Sequence, residues 1–109
     1  MRNFVENIII AHVGYTYFKR GEEYYRTGLV SHVVNSQNLI TGRVRGGKNY
    51  ITTIILDDDG GIIYSRCSCP MKSACKHVAA LGLAAVEIIN KTVDVPAVQA
   101  PLKDYFFTI

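Results

Sequence analysis

The sequence predicts an α+β domain: an N-terminal helix, a four-stranded antiparallel meander, and a metal site joining the last strand to a C-terminal helix. An aromatic stretch with helical spacing ends at a glycine, and β-branched runs alternate with short turn clusters through the middle of the chain. All three cysteines fall within "CSCPMKSACKH", residues 67–77, just ahead of a run rich in alanine and leucine.

Residues 1–14 contain "FVENIIIAHVG", an apolar run too short for periodicity to separate a strand from a helical turn, so this lead segment is left open. From Tyr15 to Thr27, "YTYFKRGEEYYRT" sets Tyr17, Phe18, Tyr24 and Tyr25 on one helix face, and Gly28 is placed as the left-handed stop. Gly21 costs this helix about 1 kcal/mol of propensity, so the pattern also admits a break there. Four β-branched runs follow, "LVSHVV", "NLITGRVR", "NYITTIIL" and "GIIYSRC", separated by Asn35 to Gln37, Gly46 to Lys48 and Asp57 to Gly60. Connections this short make neighbouring strands antiparallel. "RGGKN" at 45–49 falls between two strands and lacks phosphate-loop spacing, which makes it a hairpin turn.

From Cys75, "CKHVAALGLAAVEIINK" is apolar for about three turns and reads as a helix. Its large side chains, from Val78 through Ile89, spread around nearly the whole circumference, so it needs cover on more than one side. Pro96 and Pro101 then break regular structure. The division expected is one folded domain over residues 1–91 that includes the metal site, and an extended apolar tail over 92–109. Leu102, Tyr105, Phe106 and Phe107 in that tail either fold back on the core or dock on a partner.

A chain of 109 residues supports a single core. Its 49% hydrophobic and 19% charged content is that of a folded protein. A net charge of +3 permits contact with nucleic acid without making it the default. No apolar run is long enough for a membrane span, and Glu6 interrupts any signal-peptide pattern, so the expected location is the cytoplasm, or a nucleoid within it. An odd number of closely spaced thiols favours metal over a disulfide framework.

Cys67, Cys69, Cys75 and His77 supply three thiolates and one imidazole, a complete tetrahedral set for one Zn2+ per chain. The first pair leaves a strand at Pro70. The second sits at a helix N-terminus, where free backbone N–H groups favour the thiolate. Zinc with three thiolates carries a net charge near −1, which Arg66, Lys72 and Lys76 stand ready to offset; the same cations suit a phosphate backbone. Arg43 and Arg45 share a strand face with Lys48 in the following turn, making either a small phosphate-binding patch or an ordinary solvent face. His12 and His32 are read as satisfied or surface side chains rather than ligands.

The pattern C-x-C, five residues, C-x-H, leading straight into "VAALGLAAVEII", resembles the SWIM zinc-finger family. With "YFKRGEEYYRTGLVSHVV" and "GIIYSRCSCP" upstream, the resemblance extends over roughly residues 15–90, and the four ligand positions match without departure. It implies a module that binds DNA or protein and is not itself catalytic. The settings it implies include remodeller-like helicases, transposases, and small proteins that partner RecA-like recombinase paralogues in DNA repair. Four protein ligands leave no open position for water, and no H-x-E stands beside them, so an enzyme with a small-molecule substrate is not expected. The function expected is a protein-interaction adaptor in DNA recombination, repair or a related transaction, its partner a RecA-like paralogue or a second copy. The alternative is a DNA-binding module, such as the detached N-terminal region of a remodeller-like helicase.

Overall fold

The computed structural model describes residues 4–93. Two helices, α1 (Glu6–Val13) and α2 (Tyr15–Arg26), precede the strands β1 (Val30–Ser36), β2 (Leu39–Arg45), β3 (Asn49–Leu56) and β4 (Ile62–Cys67), and the long helix α3 (Lys76–Val93) follows. The strands form one antiparallel sheet in sequence order. The expected α+β meander is therefore what the chain forms. The lead segment resolves as helix, with Phe4 and Ile9 fully buried.

Alternation along the strands sets the two faces of the sheet. Ile40 and Val44 of β2, Thr52, Ile54 and Leu56 of β3, and Ser65 and Cys67 of β4 point inward and are buried. The helices cover this inner face only. Arg43, Arg45, Ile51, Tyr64 and Arg66 stand on the opposite, exposed face.

Helix α3 is enclosed by three neighbours, each at close range. A Cβ on Gly21 of α2 would lie 2.5 Å from Ala79 Cβ and 2.6 Å from the Lys76 carbonyl. One on Gly82 would meet Ile9 of α1 at 2.9 Å, and one on Gly42 of β2 would meet Leu81 at 2.6 Å. Val78 to Ala85 are accordingly buried without exception. The all-round apolar character of this helix is thus consumed inside the domain by α1, α2 and the sheet, and its first turns offer no surface to another protein.

The sequence leaves room for a break at Gly21, yet α2 runs through it. The absence of a side chain there lets two helix backbones approach, and the packing gained outweighs the propensity lost. Gly28 ends α2 as expected. With φ at 77°, its N–H donates to the Tyr25 carbonyl at 3.1 Å and that of Leu29 to Tyr24 at 3.1 Å, the paired closure of a Schellman motif. The first hairpin turns one residue later than expected, at Gln37–Asn38, because β1 stays paired through Ser36↔Leu39.

Gly21→Ala should lower the unfolding free energy by about 1–3 kcal/mol through overpacking against α3, although alanine is the better helix former. Urea denaturation of the zinc-loaded protein measures this, and an unchanged or raised midpoint would show that α2 and α3 are further apart.

Candidate metal centre

Cys67 ends β4 on its inward face, and the chain then turns through Pro70 before α3 begins. Backbone bonds hold this loop: Lys72 N–H donates to the Cys69 carbonyl at 3.0 Å, and Cys67 N–H to the Lys72 carbonyl at 2.7 Å. Ser68 is tied to β3 both ways, its N–H donating to the Ile51 carbonyl at 3.1 Å while its Oγ accepts from Ile51 N–H at 3.0 Å. Lys72 and Ala74 adopt φ of 69° and 51°, a left-handed backbone that closes the loop in so few residues. Cys75 stands at the mouth of α3, its carbonyl accepting from Ala79 N–H at 3.1 Å.

These constraints bring four buried ligand atoms together, those of Cys67, Cys69, Cys75 and His77, all within 4.8 Å of one another. His77 Nδ1 lies 3.6 Å from both Cys67 Sγ and Cys75 Sγ. Zn–S bonds of about 2.3 Å and Zn–N bonds of about 2.0–2.1 Å at the tetrahedral angle place nitrogen and sulfur about 3.6 Å apart, so these two separations already match those that zinc requires. The thiols alone are in conflict. A hydrogen bond from Cys75, with others from His77 and Thr52, pulls the Cys67 thiol far below its ordinary acidity range. The neighbouring Cys67 sulfur and burial push Cys75 far above it. A divalent cation removes that conflict by binding each sulfur as thiolate.

The imidazole is walled in. Tyr50 lies against it with ring centroids 4.5 Å apart, and Tyr24 meets it edge-on at 5.4 Å. A Cβ on Gly46 would stand 2.9 Å from His77 Nε2 and 3.1 Å from the Tyr24 ring. The sequence marks Gly46 only as a turn residue and Tyr24 as part of a helix face; the contact between them is made by folding. A second feature invisible in the sequence is a chain of hydrogen bonds bracing the metal loop. His12 Nε2 and Ser65 Oγ are 2.7 Å apart, Ser65 Oγ and Ser73 Oγ 2.8 Å, and Ser73 Oγ donates to the Ser65 carbonyl at 2.9 Å. This fastens α1 to β4 and to the loop, and partial burial lowers the His12 pKa. His32 is exposed and bonds its neighbour Ser31 at 2.9 Å.

The expected cations divide into two groups. Lys76 lies over the Tyr24 ring at 5.4 Å and, with Arg20, Tyr17, Tyr50 and Met71, lines a cavity of about 250 Å³ beside the ligands. Lys72 is exposed on the metal loop. Arg66, expected to offset the zinc charge, projects instead to the far side of the sheet, because successive strand residues alternate and Cys67 takes the inward position. Arg43 and Arg45 share that outer face as expected, with Lys48 exposed in the turn. Leu102, Tyr105, Phe106 and Phe107 lie outside the described residues.

Four protein ligands, all buried and drawn from one strand end, one loop and one helix start, define a structural zinc finger holding one Zn2+ per chain. Residues 50–85 match the SWIM zinc finger family, a family of non-catalytic binding modules. An uncharacterized protein of Methanocaldococcus jannaschii is 35% identical over 63 residues, covering 58% of this chain and 26% of its own length. The chain thus matches about a quarter of that longer relative. No solved structure matches.

Cys75→Ser should abolish stoichiometric zinc and leave the chain unfolded or insoluble, since structural zinc contributes on the order of 10–16 kcal/mol in finger-sized units. Metal analysis finding no zinc in a well-folded parent preparation would refute the site. Gly46→Val should weaken zinc affinity without touching a ligand, because its side chain needs the space of the imidazole. Competition with a chromogenic chelator reads this, and parent-like affinity would show that the ring is free to move.

Proposed function

We propose that this chain is a zinc-stabilised, non-catalytic adaptor that acts in DNA recombination, repair or another DNA transaction. The observation that carries the reading is the closed ligand set. Cys67, Cys69, Cys75 and His77 fill a tetrahedral shell and are all buried, whereas a catalytic zinc keeps one position for water. The metal supplies folding free energy and fixes the junction of β4 with α3, so the work of the domain falls to its surface. The SWIM match supports the binding-module reading, and among the settings the resemblance implies, a RecA-like recombinase paralogue is the partner proposed. No described helix is long and apolar enough to cross a membrane. The cytoplasm, in company with the nucleoid, fits this role.

A second reading, direct DNA binding, is favoured by the cations around the finger. Arg43, Arg45, Lys48, Lys72 and Lys76 offer phosphate contacts, and Arg20 joins Lys76 at the cavity beside the zinc ligands. A module cut from a longer remodeller-like helicase would use them in this way.

Affinity capture from native extract, read by mass spectrometry, separates the two. A RecA-like paralogue captured by the zinc-loaded parent supports the adaptor, and a longer chain carrying this same sequence supports the detached module. For the second reading, Arg43→Ala combined with Arg45→Ala and Lys48→Ala should weaken binding to duplex DNA at low salt. The slope of log affinity against log salt should flatten by about 0.9 for each phosphate left without its cation. Equal binding by parent and variant would remove these three residues from any role in holding DNA.

A further inference from the structure

The sheet is two-sided in architecture and one-sided in cover: among the described residues, the helices pack only on its inner face. The outer face has a definite pattern. Along the central strand β3, Ile51, Thr53 and Ile55 form an uncharged stripe about 13 Å long. Leu39 of β2 and Tyr64 of β4 flank Ile55 in register, giving an apolar row across three strands. Arg43 flanks Ile51 on the β2 side, with Arg45 one step further along, and Arg66 flanks Thr53 on the β4 side. Ile51 is 61% exposed, Tyr64 46% and Leu39 42%. The four strands contain three arginines, all on this face, and no aspartate or glutamate.

We propose that the open face of the sheet docks an acidic amphipathic helix of a protein partner, a proposal that rests on the adaptor reading and gives it a surface. The dimensions fit. Apolar residues at i, i+3, i+4 and i+7 of a helix span about 10.5 Å, which the β3 stripe accommodates, and carboxylates on the two flanks of such a helix meet Arg43 and Arg45 on one side and Arg66 on the other. A helix over this face would repeat what α3 does on the inner face. Charge decides against a second copy of the same chain, which would set arginine against arginine across an interface whose strands hold no carboxylate. The side chains decide against single-stranded nucleic acid, which binds on aromatic platforms; here the centre is aliphatic and Tyr64 stands at one corner.

The test uses the full, zinc-loaded, 15N-labelled chain. The probe is a synthetic helical peptide with leucines at i, i+3, i+4 and i+7 and glutamates on both flanks; its control carries lysines in place of the glutamates. The acidic peptide should bind, shift the amide resonances of β2, β3 and β4, and weaken as salt is raised. Ile51→Glu, and separately Arg43→Glu with Arg66→Glu, should each reduce its affinity about tenfold while zinc content and the unfolding midpoint stay at parent values. Equal binding of the lysine peptide, indifference to both variants, or no binding of the acidic peptide would each overturn the proposal. So would a deoxythymidine oligomer that binds through the same arginines while the acidic peptide does not, which assigns the face to nucleic acid. In the extract experiment, an Ile51→Glu chain that captures the same partner as the parent sinks this surface and leaves the adaptor reading standing. Failure of the parent itself to capture a partner sinks that reading instead.

Discussion

The junction between the end of β4 and the start of α3 governs the rest of the molecule. Cys67 belongs to the sheet, Cys75 and His77 to the mouth of the helix, and Cys69 to the loop between them. One metal bound by all four fixes where α3 leaves the sheet and at what angle, and every other element packs on α3. A helix whose residues from Val78 to Ala85 are buried on all sides cannot be placed by a single neighbour. Its position is shared among α1, α2 and the inner face of the sheet, with glycines at the points of closest approach. Loss of the metal would therefore release the central element of the core as well as a surface loop.

The polar groups around the site show the same economy of placement. Thr52 Oγ1 lies 3.4 Å from Cys67 Sγ, the two residues being register partners in β3 and β4, so the hydroxyl needs no loop to position it. Ser65, two residues before Cys67 and hence on the same inward face, meets both His12 and Ser73. The alternation that delivers a ligand to the metal thus also delivers the hydroxyl that fastens α1 to the metal loop. That same alternation sends Arg66 to the far face.

Local pattern and donor chemistry are legible in the sequence: the four strands, α2 with its glycine stop, α3, and the complete ligand set from spacing alone. What the sequence hides is tertiary. Eight helical residues at the N-terminus carry no decisive period, so the segment that covers α3 at Gly82 stays open on sequence grounds, and so does the source of the cover that the apolar circumference of α3 needs. The two open points are one, since the unassigned helix supplies part of the cover that α3 needs. Gly21 is a liability on the propensity scale because that scale knows nothing of a neighbouring backbone 2.6 Å from where a Cβ would stand. Arg66 falls beside the zinc ligands only along the chain: nearness in sequence is not nearness in space where adjacent strand residues point apart.

With α3 and α1 on the inner face and the metal closed by four ligands and two tyrosine rings, part of the apolar area that folding leaves exposed gathers on the sheet. Of the large hydrophobic side chains exposed among the described residues, Leu39, Ile51, Ile63 and Tyr64 belong to β2, β3 and β4, while Val5, Tyr15 and Met71 lie elsewhere. Antiparallel sheets commonly leave one face to water, but such a face ordinarily alternates to polar residues, as Thr41 and Thr53 do here and Ile51 does not. A domain of this size gains little from an isoleucine held in solvent at the centre of its sheet. Its neighbours are arginines, whose planar guanidinium groups are weakly hydrated and well suited to charged contacts at the rim of an apolar patch. Zinc, core and sheet thus divide the chain's side chains: the metal sets the junction, α3 takes up the inner face, and the outer face keeps an apolar stripe and three arginines exposed.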